Sequence, residues 1–353
     1  MERLTDYLRR AVELGGSDLF LIPGAPVTVK AKGKMSPLSE NRMEPASVET
    51  LIREAYEAAK RETRVLEEEG DDDFSIAIHD LSRVRCNVYR QRGTLAATCR
   101  IVAFGLPDPK ALHIPDAVLQ LSQRRGGLIL VTGPAGSGKS TTLACLIDRI
   151  NATRSGHIVT IEDPIEYLHP HRMSLVSQRE VPGDAPTFAR ALRAALRQDP
   201  DVIMLGEMRD AETIHTAITA AETGQLVLSS LHTIGAAKSI DRIVDAFPAA
   251  QQQQIRAQLS MALCAVVSQR LIPTLQGGLI PAFEVMTATP AIRTMIRDGR
   301  IYQIDTALSA AGQDTLRLDD ELVRLCGAGI IDEQTAELYS VAPESIKKRF
   351  ISR

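Results

Sequence analysis

The chain has 353 residues, of which 44% are hydrophobic and 24% charged, a globular composition long enough for two or three domains. A net charge of −3, an aromatic content of 4% and the absence of Trp weigh against a nucleic-acid binder built on basic stripes or stacking platforms. The five cysteines are scattered and form no C-x-x-C pair, which argues against a disulfide framework or a zinc site and fits a reducing, cytoplasmic setting.

The first residues, MERLTDYLRRAVELGGSD, read as an amphipathic helix broken by charges rather than a signal peptide. No apolar run reaches the roughly 18 residues of a membrane span. Residues 1–104 read as one small α+β domain. A helix over 4–14 stops at Gly15-Gly16. A strand over 19–22 turns at Pro23-Gly24, and 27–31 alternates as a half-buried strand does. Residues 45–60 carry Val48, Leu51, Ile52 and Ala55 on one helical face. The acids 67–69 and 71–73 surround Gly70 and read as a solvated turn. Strands over 74–78, 83–92 and 95–102 follow. They carry Arg83, Arg85, Arg90, Arg92 and Arg100, and strand alternation sends some of these to one face together.

Residues 105–115 hold Pro107, Pro109 and Pro115, a stiff linker in which no helix forms. From 116 to 270 strands alternate with helices: strands over 128–131, 157–161, 202–205 and 226–231, and helices over 139–151, 188–197, 211–221 and 236–246. The strands are apolar without alternation, so they are expected to be buried on both faces of a mostly parallel sheet. From Gln251 onward the chain reads as mainly helical, with 271–353 as a helical C-terminal region.

The strand over 128–131 runs into Gly133, Pro134, Ala135, Gly136, Ser137, Gly138, Lys139, Ser140 and Thr141, and a helix follows. This strand, glycine-rich loop and helix match the phosphate-loop pattern G-x-x-x-x-G-K-[ST]. Glycines let backbone N–H groups point inward at phosphate oxygens, and the helix N-terminus adds its own unpaired N–H groups. Lys139 is placed to reach the β- and γ-phosphates of ATP, and the Ser140 hydroxyl to ligate Mg²⁺. Such a loop needs an acid at a neighbouring strand end. Glu207 follows 202–205, while Glu162, Asp163 and Glu166 follow 157–161. Glu207 is expected to face the nucleotide and help hold Mg²⁺, Glu166 to take a proton from the attacking water, and Glu162 or Asp163 to hold water on the metal. His232 ends the strand 226–231 and is placed to sense the γ-phosphate.

Together these motifs resemble the secretion and type IV pilus ATPases, most closely the PilT-like retraction motors. The resemblance runs through GGSDLFLIPGAP (15–26), RVRCNVYRQRG (83–93), GLILVTGPAGSGKSTTLA (127–144), HIVTIEDPIEY (157–167) and SQREV (177–181). It continues through ALRAALRQDPDVIMLGEMRDAETI (191–214), AITAAETGQLVLSSLHT (217–233), RIVDAFPAAQQQQIRAQL (242–259) and AIRTMIRDG (291–299). It implies an α/β fold: a PAS-like N-terminal domain, a RecA-like phosphate-loop ATPase domain and a helical tail, assembled as a homohexamer. It implies a place at the cytoplasmic face of the inner membrane, where the partner is a pilus platform protein. By the same resemblance Glu166 matches the catalytic glutamate of the Asp box, Glu207 the Walker B glutamate and His232 the His-box histidine. Arg85 and Arg100 match N-domain arginines that reach a nucleotide. Phe20, Gln198 and Gln225 stand where the family usually has His, Glu and His.

Three other readings stand beside retraction. A pilus-assembly or secretion ATPase of the same family typically carries a four-cysteine metal loop, and here Cys264 alone lies near its expected position. A nucleic-acid translocase or recombinase on the same core calls for basic stripes and aromatics. A non-hydrolysing regulatory ring sits poorly with intact Lys139, Glu166 and Glu207.

Overall fold

Two periodicities divide the chain: apolar residues alternating along strands in the first hundred residues, and unbroken apolar strands after it. The computed structural model describes residues 2–31, 33–78, 81–102, 105–309 and 315–351. It separates into two compact units, 1–105 with 166–168, and 106–165 with 169–353.

The first unit opens with α1 (Leu4–Glu13), followed by β1 (Gly16–Leu21), β2 (Thr28–Ala31), β3 (Lys34–Pro37), α2 (Pro45–Ala59) and α3 (Arg64–Glu69). β4 (Asp71–Ile78), β5 (Ser82–Gln91) and β6 (Thr94–Ile101) complete it. The strands form a six-stranded sheet in the order β3-β2-β1-β6-β5-β4, and every pairing is antiparallel. Leu4, Tyr7, Leu8 and Ala11 put the buried stripe of α1 at helical spacing. With Val48, Leu51, Ile52 and Ala55 of α2 they pack on Val84, Cys86 and Val88, the inward residues of β5.

The acids around Gly70 do not form a solvated turn. Glu67, Glu68 and Glu69 end α3, Gly70 closes it at φ 86°, and Asp71 begins β4. Strand alternation then turns Asp72 inward with Phe74 and Ile76. The Asp72 carboxylate accepts from Arg61 Nε and Nη2 at 2.9 and 2.8 Å and from the Tyr56 hydroxyl at 3.1 Å. A buried carboxylate is tolerated because a bidentate guanidinium and a phenol satisfy it. Burial and the Asp72 charge push the Tyr56 hydroxyl well above its usual range.

The second unit is a seven-stranded sheet in the order β13-β12-β7-β11-β10-β8-β9. Its elements are α4 (Asp116–Leu119), β7 (Gly127–Thr132), α5 (Lys139–Thr153), β8 (Gly156–Glu162), β9 (Ser174–Glu180), α6 (Phe188–Ala195) and β10 (Val202–Leu205). They continue with α7 (Ala211–Glu222), β11 (Leu226–Leu231), α8 (Ala236–Asp245), α9 (Ala249–Ala262), β12 (Leu263–Pro273) and β13 (Leu279–Thr287). Six of the strands run parallel, and β13 returns antiparallel on β12. Both sheet faces are covered, as the apolar strands require. Leu128 and Leu130 of β7 pack with α6, α7 and α9, whereas Ile129 and Val131 pack with Leu143, Leu146, Ile147 and Ile150 of α5.

The four strands read from sequence are present, and β9, β12 and β13 join them. Residues 263–273 and 279–287 are therefore an extended hairpin inside the stretch expected to be mainly helical. A short apolar run such as LCAVV carries no period that separates strand from helix, and Gly277-Gly278 at φ 82° and 96° turns the hairpin. Helices resume afterwards: α10 (Pro290–Arg297), α11 (Ile304–Ser309), α12 (Leu318–Gly327), α13 (Glu333–Tyr339) and α14 (Pro343–Ile351). Ile272, Ile280 and Ala282 at the far end of the hairpin share a small core with Leu322, Leu325, Ala336 and Ile346 of these helices. None of the five cysteines forms a disulfide. No helix of the described residues is long and apolar enough to cross a membrane.

Candidate active site

All six residues of β7 are buried, which fixes the point where the phosphate loop leaves the sheet. Two loop positions are crowded by Gln269. A Cβ on Gly133 would lie 2.2 Å from the Gln269 carbonyl oxygen, and one on Gly138 would lie 2.8 Å from Gln269 Nε2. Gly138 is also at φ 89°, a conformation that favours glycine. α5 begins at the next residue, and no side chain caps its first N–H groups. Pro134, Ala135 and Gly136 form the exposed crest of the loop.

Lys139 is 7% exposed, and its Nζ donates to the carbonyls of Gly133 and Pro134 at 3.0 and 2.9 Å. Burial lowers the lysine pKa, and the negative charge of Glu207 opposes that shift. An ammonium so placed gains from an anion. Ser140 is exposed on the first turn of α5, and Thr141 is half-buried behind it. The hydroxyls of Thr132, Ser137 and Ser229 are buried without hydrogen-bond partners. Orphaned buried hydroxyls in and beside a loop of inward N–H groups fit an oxygen-rich ligand. The Ser140 hydroxyl and the Glu207 carboxylate are oxygen donors, the type Mg²⁺ prefers alongside phosphate. Among the described residues no three His, Cys, Asp or Glu side chains cluster as a metal cage.

Parallel strands bring the acids to this edge. β10 lies between β8 and β11, with Leu205 level with Ile161 and Ser229. Glu207, two residues beyond β10, has its side chain 13% exposed. Its Oε2 lies 2.7 Å from Arg209 Nε and 3.4 Å from His232 Nε2, just past β11. Ser230 Oγ donates to the Gly206 carbonyl at 2.6 Å and ties the two strand ends together. Lys139, Glu207 and His232 thus converge on one edge of the sheet. Arg209 and Gln269 were not singled out by sequence. Arg209 had a signal, a cation two residues after a strand-end acid. Gln269 had none, because its partners are more than a hundred residues away.

The buried Glu162 carboxylate accepts at Oε1 from Thr160 Oγ1 at 2.6 Å and Gln178 Nε2 at 3.2 Å, which ties it to β8 and β9. Asp163 is exposed on the connection that follows. Glu166 is exposed within 166–168, the stretch that belongs to the first unit. Arg85 and Arg100 also belong to the first unit, directly opposite one another on β5 and β6. Like charges so placed repel, and acids offset them. Arg100 Nε lies 3.0 Å from Asp18, and Arg85 Nε lies 3.8 Å from Asp73. Beside the phosphate loop a cavity of about 260 Å³ is bounded by Ile114, Gly138, Thr141, Thr142, Gln269 and Leu271.

Comparison with known proteins agrees with this fold. Residues 92–297 match the family described as type II/IV secretion system protein. The "Type IV pilus retractation ATPase PilT" of Pseudomonas aeruginosa is 40% identical over 343 residues, 97% of this chain and 99% of that protein. The "Twitching motility protein" of Neisseria gonorrhoeae is 40% identical over 322 residues, 90% of this chain and 85% of that protein. A crystal structure of the pilus retraction motor PilT with bound ADP superposes with a TM-score of 0.88 at 44% identity, covering 99% of this chain and 100% of that one. Likeness of this degree across nearly the whole of both chains admits one assignment: the chain belongs to the type II/IV secretion system protein family, the secretion ATPases.

Proposed function

We propose that this chain is a homohexameric motor that hydrolyses ATP to retract type IV pili, the work behind twitching motility. One observation carries the reading: a phosphate loop facing Glu207 and His232, in a chain alike over almost its full length to a protein named a pilus retraction ATPase. The motor acts at the cytoplasmic face of the inner membrane on a pilus platform protein, and nucleic acid is not its substrate.

In this reading the N–H groups of 133–141 cradle the phosphates of ATP. Lys139 leaves its loop carbonyls for the β- and γ-phosphates, where a full positive charge costs less. The base occupies the cavity beside Thr141 and Thr142. Ser140 and Glu207 would hold Mg²⁺, which would supply neutralisation of phosphate charge. Glu166 accepts the proton of the attacking water, Glu207 orients that water, and His232 donates to the γ-phosphate and reports its loss. Arg85 and Arg100 reach a nucleotide of a neighbouring subunit and neutralise the transferring phosphoryl group.

Deleting the gene and counting surface pili tests the proposal. Accumulation of unretracted pili with loss of twitching is expected. Loss of pili would move the chain to pilus assembly, and ATPase activity stimulated by DNA would move it to the translocases.

A further inference from the structure

We infer that Gln269 is a positioning residue for the phosphate loop, acting through Thr142 and Gly138 on the donors that face the phosphates. This rests on the reading of the loop as an ATP site.

Gln269 sits on β12, next to β7, and is 4% exposed. β12 runs parallel to β7 with Ser268 level with Thr132, the last residue before the loop. That register puts the next residue, Gln269, against the root of the loop. Three contacts converge on it. Its Oε1 accepts from the Thr142 hydroxyl at 2.7 Å, in the first turn of α5. Its Nε2 occupies the space that a side chain on Gly138 would need. Its carbonyl oxygen does the same at Gly133. Both glycines that let the loop curl are therefore crowded by one residue far along the chain, in addition to the positive φ each adopts.

The Thr142 bond also fixes the carboxamide. With Oε1 held by a hydroxyl donor, Nε2 is directed at Gly138, the residue at which the loop becomes a helix. The first N–H groups of α5 are the donors a phosphate would use, so their direction depends on how α5 is seated on β12. A buried amide–hydroxyl bond is stiff: breaking it leaves a polar group unsatisfied at the base of the loop.

Strand alternation gives β12 a second contact on its opposite face. Ser268 Oγ accepts from the Gly235 N–H at 3.0 Å, and Glu284 of β13 accepts from the Ala236 N–H at 3.0 Å. Those N–H groups begin α8, three and four residues after His232. The same strand thus seats the loop under the phosphates on one side and the segment after His232 on the other.

The test is binding of Mg²⁺-ADP to full-length Gln269→Met and Thr142→Val, two near-isosteric changes that remove the bond from either end. Each is expected to weaken ADP binding about tenfold, the scale of one buried hydrogen bond lost. The double variant is expected to be no weaker than the single ones, because one bond is removed in all three. The thermal midpoint without nucleotide is expected to fall in each single variant, which strands one buried polar group, and to recover in the double variant, while the rise produced by ADP shrinks in all three. Unchanged ADP affinity in both variants, or additive losses in the double variant, would overturn the assignment. So would a loss of affinity that follows the thermal midpoint of the free protein, which is what a purely structural glutamine gives. If Gln269→Met does not fold, Thr142→Val carries the test alone. Wild-type protein that fails to bind ADP would overturn the ATPase reading itself, whereas equal binding by wild type and variants would overturn only the role of Gln269.

Discussion

Glu207 is the residue on which the site's charge balance turns. It stands within ion-pair distance of Arg209 and His232, and its charge opposes the loss of the proton from buried Lys139. Replacing it with Gln keeps the shape and removes the charge. Glu207→Gln is expected to bind ATP and to turn it over at least ~100-fold more slowly, the scale of losing an electrostatic or general-base contribution. Single-turnover hydrolysis beside equilibrium ATP binding checks this, and near-normal turnover would remove Glu207 from the chemistry. Its position was legible because a lone acid after an apolar strand, in a chain with a phosphate loop, has few other uses. Glu162 satisfied the same rule, and the structure adds that its Oε1 accepts from Thr160 and Gln178. No local pattern in the chain announces that a strand-end acid has partners of its own.

At the scale of elements, the connection between β8 and β9 is held down by its ends. Asn151 of α5 donates to the Pro170 carbonyl at 2.7 Å and accepts from Arg172 N–H at 3.2 Å, while Gln178 accepts from His169 N–H at 2.8 Å. His169 itself is buried, its Nδ1 has no partner, and burial pushes its pKa down to about 4 from 6.5. Asp148 opposes that shift and Arg172 adds to it. Between pH 6.5 and about 4 the unfolded chain binds a proton at this histidine that the folded chain refuses. Stability therefore falls as pH falls through that window, by about 3 kcal/mol in full. In His169→Gln, urea midpoints measured from pH 7 to pH 4.5 are expected to fall less steeply than in wild type. Parallel pH profiles would show that the imidazole stays hydrated. The strands 128–131 and 202–205 were readable because unbroken apolar runs between turn signals are buried strands. β12 and β13 were not, because their apolar residues follow a helix without a change of period, and the strand that pairs β12 lies far back in the chain.

At the scale of the whole molecule, the candidate residues divide between two units: Arg85, Arg100 and Glu166 in one, and Lys139, Glu207 and His232 in the other. Sharing between subunits is the proposal this division motivates. Subunits carrying Arg85→Ala and subunits carrying Lys139→Ala are each expected to be nearly inactive alone. Mixed rings are expected to exceed both parents, because some sites regain an intact loop and an intact arginine together. ATPase activity across mixing ratios checks this, and activity no greater than the parents' at every ratio would count against sharing or require all subunits to fire in concert.

The sequence by itself determined the phosphate loop, the strand-end acids and histidine and the parallel core, since each follows from residue types at short, fixed spacings, and its motifs resembled one family. Only the tertiary structure decided that Asp72 is a paired core residue, that Glu162 bonds to Thr160 and Gln178, and that a hairpin closes the sheet beside the loop. It alone placed Gln269 under Gly133 and Gly138. Local spacing fixes what a segment can form; which distant strand it pairs with, and in which register, is set by how the whole core fills, and that register decides which side chains meet.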